Sequence, residues 1–471
     1  MRKLFSLCIT AVLVSLFSGC GKDRNKAAIA AFNKGVKAHE NKDFHSALID
    51  YNKAIELDPK YVDAYYNRGG IYDALNKYPE AIADFTKAIE LDPKVAGVYF
   101  QRGLSYIAIK KYPEGLADYT KVIELDPKYE SAYGNRGNTY SNLNKHPEAI
   151  ADYTKVIELD PKSVQGYYSR GVASRNLKKY AEAIADFTKV IELDSKYPLA
   201  YNNRGLAYDG LEKYAEAVAD YTKAIEIDPK WAGVYFDRGE IYRNLNKYAE
   251  AIADYTKAIE IEPKYMRAYN NRGSVYRNFF KKYAEAIADY TKVIELEPNY
   301  VRAYIDRGNT YTNLKNYPEA IADFTKAIEL DPKVAGVYFQ RGRSYIAIKK
   351  YPEGLADYTK SIELDPTHGD SFFTYFNRGV GYDRLEKYPE AIADFTKAID
   401  LNPKDAEVLV YRGSAYRKQN KIVEAVVDYT KAIELDPKYV IAYLKRGDAY
   451  KALGKNNEAD ADFAKARALQ K

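Results

Sequence analysis

The chain has 471 residues, of which 46% are hydrophobic, 29% charged and 14% aromatic, a composition that folds and stays compatible with water. Lys plus Arg total 72 against 66 for Asp plus Glu, and a balance of +6 is too small for this length to imply a nucleic-acid partner. Cys8 and Cys20 are the only cysteines and His39, His45, His146 and His368 the only histidines, which excludes a disulfide framework, a Cys- or His-built metal site and a His-based hydrolase.

The first twenty residues place Arg2 and Lys3 before an apolar run from Leu4 to Phe17, followed by Ser18, Gly19 and Cys20. That is the layout of a secretory signal, and the run is shorter than the roughly 20 residues a membrane span needs. Small residues directly before a cysteine resemble the lipobox of bacterial lipoproteins, although Phe17 stands where that family has an aliphatic residue. The resemblance implies cleavage after residue 19 and lipidation of Cys20. The expected organisation is a signal peptide over 1–19, a lipidated N-terminus and linker over 20–27, and one repeat array over 28–471.

The array is marked by Arg-Gly, with its glycine at 69, 103, 137, 171, 205, 239, 273, 308, 342, 379, 413 and 447, and Lys34-Gly35 opens the series. The thirteen copies are 34 residues apart except at two places. One residue is added around Phe279-Phe280-Lys281, and three are added around Thr367 to Ser371. Most of the 48 tyrosines fall at five fixed distances from these glycines, so they are expected to be scaffold and not stacking platforms.

Two helices fit each copy. Ala64, Tyr65, Arg68, Gly69, Tyr72 and Leu75 recur at three- and four-residue steps, Asn76-Lys77 is a turn, and Pro79-Glu80 opens a second helix. Ala81, Phe85, Ala88, Ile89 and Leu91 continue its apolar face until Asp92-Pro93 ends it. A 34-residue helix–turn–helix unit with aromatic, Gly, aromatic, Ala, aromatic, Ala and Pro at these spacings resembles the tetratricopeptide repeat. It departs from the general pattern in its Arg before the Gly and in Tyr at the first aromatic position. The resemblance implies an all-α solenoid of thirteen repeats wound as a right-handed superhelix.

No glycine-rich phosphate loop, His-Glu-x-x-His or Gly-x-Ser-x-Gly occurs, so neither an enzyme nor a cofactor or metal is expected. The Arg before the glycine and an Asp fifteen after it, allowing for the added residue near 280, are expected to pair between the two helices, as in Arg68 with Asp84, Arg136 with Asp152 and Arg272 with Asp289. In the family the first helices line the binding groove. The varying positions there are rich in Asn, and basic groups gather in the seventh to tenth copies. The candidate binding residues are Arg243, Arg267, Asn270, Asn271, Arg277, Arg302, Asn309, Asn313 and Arg343, with Asp237, Glu240 and Asp306 among them. They would take an extended peptide through amide hydrogen bonds, with arginine forks meeting its carboxylates. The Lys-based carboxylate clamp of chaperone-binding members does not carry over, because no Lys stands three before any of the glycines.

Residues 94–127 and 333–366 differ only at Leu104/Arg343 and Val122/Ser361, the mark of an internal duplication. Asp460 and Arg467 replace apolar residues of the other copies, so the thirteenth repeat reads as a C-terminal cap. Taken together, these features lead to the expectation of a non-enzymatic protein- or peptide-binding scaffold of the bacterial cell envelope. It would be lipid-anchored, facing the periplasm from the outer rather than the inner membrane, and would serve assembly of an envelope complex. The alternative is a glycan-binding envelope protein that uses Tyr and Asn of the groove.

Overall fold

The computed structural model describes residues 25–366 and 369–470, so Cys8, Cys20 and His368 lie outside the described residues. Among the described residues are 26 α-helices, one five-residue π-helical turn and no strand. The helices fall into two compact units, one reaching residue 230 and the other beginning at Trp231. The first holds the helices from Lys26–Glu40 to Tyr214–Ile227, six pairs, and the second those from Ala232–Asn244 to Asn456–Leu469, seven pairs. None is long and apolar enough to cross a membrane.

One pair shows why the sequence folds this way. The helix Val62–Ala74 ends in a left-handed residue, Asn76 at φ 58°, and the Lys77 N–H reaches back to Tyr72 O at 2.8 Å. This closure satisfies carbonyls that would otherwise be orphaned. Lys110, Glu212 and nine other residues adopt the same conformation at this point of their repeats, and Gly454 does so in the last copy. The helix Tyr78–Leu91 follows, with Pro79 in its first turn. After it the Asp92 carboxylate accepts the Lys94 N–H at 3.1 Å, which turns the chain into the next copy.

The core of a pair is an aromatic ring set against a glycine. Phe85 is fully buried, and a Cβ added to Gly69 would stand 2.9 Å from its ring. Ala81 and Ala88 are equally buried on the same helix. Three residues before the glycine, a second ring covers this core from the first-helix side. Phe100 lies 5.8 Å from Tyr119 and 5.1 Å from Tyr129, and Phe236 lies 5.7 Å from Tyr255 and 5.2 Å from Tyr265.

The residue added near 280 is absorbed inside the first helix. The α-helix Met266–Val275 passes into a π-helical turn, Tyr276–Phe280, and only then reaches its left-handed residue, Lys281. The turn displays Phe279, half-exposed and stacked on Tyr248 with ring centroids 3.7 Å apart.

At the C-terminal end Asp460 and Arg467 are both exposed on the helix Asn456–Leu469. Leu435 is already exposed, so the apolar face that the thirteenth repeat covers is made by Ala432 and Ile433. Deleting the chain from Val440 onward is expected to fray the helix Ile422–Leu435 and cause aggregation, because each repeat is held by its neighbour. Hydrogen exchange measures this, and unchanged protection in that helix of a soluble monomer would contradict it.

Candidate functional site

Each repeat arginine is set on the inner side of its first helix by the three- and four-residue periodicity, and it meets the second helix as a fork. Arg136 donates from Nε to Asp152 Oδ2 at 2.9 Å and from Nη2 to Oδ1 at 2.7 Å. Arg68 does the same to Asp84 at 2.7 and 2.6 Å, and Arg272 to Asp289 at 2.9 and 2.7 Å. The pairs are largely buried, with the Arg136 side chain 17% and the Asp152 side chain 5% exposed. At Asp289 burial raises the carboxyl pKa while the hydrogen bonds from Arg272 pull it down. The Asp152 hydrogen bond, ahead of the opposing effect of burial, holds Arg136 above its ordinary range.

Sequence reasoning missed the third partner. Arg136 Nη1 also donates to Thr120 Oγ1 at 3.0 Å, on the second helix of the preceding repeat, and Thr120 in turn donates to Leu116 O at 2.8 Å. Arg102 with Thr86, Arg204 with Thr188, Arg307 with Thr291 and Arg412 with Thr396 repeat the arrangement at 2.9–3.1 Å. One guanidinium therefore holds three helices. The signal was present as a Thr seventeen after each glycine, eighteen in the copy with the added residue, replaced by Asn52 in the first copy and Ala464 in the last. Lys34 stands in the first copy, where it makes a single 3.1 Å contact to Asp50.

The candidate binding residues lie on the first helices of the second unit. Arg243 and Glu240 belong to Ala232–Asn244, and Arg267, Asn270 and Asn271 to Met266–Val275. Arg277 lies in the π-helical turn, Arg302, Asn309 and Asn313 in Val301–Asn313, and Arg343 in Ala335–Ala347. Several are already engaged with the chain's own acids. Glu240 accepts from Arg243 at 2.9 Å, from Asn271 at 2.7 Å and from the Tyr255 hydroxyl. Burial, with the Glu240 charge second, pushes the Tyr255 hydroxyl pKa up. Asp306, only 5% exposed, accepts from both Arg277 and Arg302 at 2.8 Å.

This corrects the expectation of open arginine forks. Arg243, Arg277 and Arg302 are internally neutralised, and Arg267 lies over the Phe236 ring at 4.5 Å. Arg343 is exposed, Asn309 half-buried and Asn313 exposed. Asn270 donates to Asn271 at 3.3 Å while its own Oδ1 is buried without a hydrogen-bond partner. The face is thus a network of amides and paired charges, with one buried amide acceptor, Asn270 Oδ1, left without a partner. No group of His, Cys, Asp and Glu among the described residues is arranged to hold a metal.

No curated protein matches this chain. Among solved structures, the MamA protein is 26% identical over 36% of this chain and 93% of its own, with a TM-score of 0.35. YrrB, described as a TPR protein with an unusual peptide-binding site, is 25% identical over 38% of this chain and 92% of its own, with a TM-score of 0.36. The C-terminal part of a TPR repeat-containing protein from Cytophaga hutchinsonii is 20% identical over 51% and 98%, with a TM-score of 0.46. Profiles described as tetratricopeptide repeat match 62–95, 131–163, 198–230, 301–334 and 372–405, then 152–185 and 220–253, and also 96–129, 267–300, 335–368 and 440–470. A TPR repeat profile matches 37–75, 175–211, 239–278 and 413–454. Helix pairs closed by a ring against a glycine, recurring in step with matches that reach most of the sequence, place the chain in the tetratricopeptide repeat family.

Proposed function

We propose that this protein is a non-enzymatic scaffold that binds extended polypeptides across its first helices. The observation that supports this most is the division of labour within a repeat. The Arg–Asp–Thr junctions recur in all but the terminal copies and the glycine and buried rings throughout, whereas other first-helix positions vary and carry amides such as half-buried Asn270 and Asn309 and exposed Asn313. A scaffold needs no such variation for its own folding. Panning random linear peptides on the full chain tests this reading. Enriched peptides whose binding falls on substituting Asn270 and Asn271 support it. Binding of oligosaccharides on a glycan array, lost in the same variants, would favour the glycan-binding alternative.

The same proposal extends to location: an exported lipoprotein anchored through Cys20, facing the periplasm, with the outer membrane favoured over the inner, where it would assist assembly of an envelope complex. Its support is Arg2-Lys3, the apolar run and Ser18-Gly19-Cys20. One acyl chain gives only marginal membrane binding, so several chains on one residue are needed for a stable anchor. Cys20→Ser is expected to abolish palmitate incorporation and to release the protein from membranes or leave it unprocessed. A cleaved variant that still sediments with membranes would rule the anchor out.

A further inference from the structure

Seven repeats carry an aromatic ring three residues before their glycine: Phe32, Tyr66, Phe100, Tyr168, Phe236, Phe339 and Phe376. Each lies 5.6–6.1 Å from the buried ring of its own second helix. Four of them, Phe32, Phe100, Tyr168 and Phe236, also pack at 4.8–5.4 Å on a tyrosine that precedes the next first helix. The fourth repeat has neither group. Gly134 stands at the ring position and Ser163 at the tyrosine position.

The double loss leaves a pocket. A Cβ built on Gly134 meets nothing nearer than Val156 Cγ2 at 4.0 Å. The resulting space, ≈ 180 Å³, is floored by Tyr153 and Val156, opens at Gly134 and Ser163, and is edged by Asn138 and Ser169. Tyr153 and Val156 are 4% and 5% exposed, so the floor is fixed. A cavity of about 150 Å³ is enough to take a benzene ring. At its rim Asn138 Oδ1 accepts the Tyr153 hydroxyl at 2.8 Å, which leaves the Asn138 amide N–H groups to meet a ligand oxygen.

We propose that this pocket binds a tyrosine or phenylalanine side chain of an extended peptide, so that the ligand supplies in trans the ring that the other repeats supply themselves. The inference rests on the peptide-binding reading above and gives it an anchor residue. Tyrosine is preferred to phenylalanine, because its hydroxyl reaches the polar rim while its ring lies on Tyr153 and Val156.

Saturation-transfer NMR on the full chain with N-acetyl-tyrosinamide, N-acetyl-leucinamide and chitotriose provides the test. The tyrosine probe is expected to bind at least about tenfold more tightly than the leucine probe. Gly134→Phe should abolish this binding while melting no lower than the parent, since it restores the ring that seven other repeats contain. Ser163→Tyr refills the pocket from the other side and should act alike if Gly134→Phe fails to fold. Equal binding of the tyrosine and leucine probes, tyrosine binding unchanged in the folded variants, or chitotriose displaced by them would overturn the proposal. Panning random peptides on the parent and on Gly134→Phe separates the two readings. Peptides without an aromatic residue that bind both proteins alike would sink the pocket and leave peptide binding standing. No enrichment on either protein would sink both.

Discussion

Asp152→Ala is expected to destabilise its repeat by about 3–5 kcal/mol, because it strands the Arg136 guanidinium between helices with one Thr120 contact remaining. Hydrogen exchange should localise the loss to Glu130–Asn142 and His146–Leu159, the two helices that the fork joins. Replacing both partners by apolar residues of similar volume, Arg136→Met with Asp152→Leu, should recover most of that loss. The difference between the single and double variants is the point of the experiment, since the pair's desolvation opposes its attraction. Asp50→Ala provides the control. Its partner Lys34 is 77% exposed, and such a pair is worth at most about 1 kcal/mol. Equal losses at Asp50 and Asp152 would mean that the buried forks carry no special burden.

The second large effect is a reversal of sign between adjacent residues. Gly69→Ala is expected to cost about 2 kcal/mol, because its Cβ would come within 2.9 Å of the buried Phe85 ring and 3.2 Å of Asp84 Cβ. Gly70 lies on the same helix with nothing within 4 Å of its added Cβ. There alanine improves helix propensity without a clash and should stabilise by about 0.5–1 kcal/mol. Denaturant midpoints of the two variants decide the matter. Two shifts in the same direction would refute the claim that ring contact, rather than backbone freedom, fixes the repeat glycine.

The helices and their turns were legible in the sequence because the period of the apolar residues recurs in thirteen copies and is punctuated in many of them by Asp-Pro stops and early prolines. Val62–Ala74 and Tyr78–Leu91 differ from the expected limits by no more than a residue or two. Pairing across the helices could be anticipated for Arg and Asp because opposite charges in step announce themselves. Thr120 could not be anticipated in the same way. Its hydroxyl is a modest signal on a helix full of larger ones, and its partner belongs to another copy. The state of the groove arginines was hidden for a similar reason. Arg277 and Asp306 are 29 residues apart, and only the packing of successive first helices brings them to 2.8 Å. The π-helical turn at Tyr276–Phe280 was visible as an extra residue, but a count cannot say whether helix or loop absorbs it. The empty ring position at Gly134 needed the filled ones as a template before its meaning could be read.

The Thr–Arg junction also governs what the two ends of the array can do to one another. Along each unit, one copy offers a hydroxyl and the following copy brings a fork, so any copy can succeed any other, as the near-identical segments 94–127 and 333–366 require. Head-to-tail joining of identical chains by such an interface would generate an open fibre. The terminal copies lack the matching halves. Lys34 has one ammonium in place of a fork, and Ala464 has no hydroxyl to offer. Two copies of this protein brought end to end would therefore meet without the bond that joins repeats within a chain.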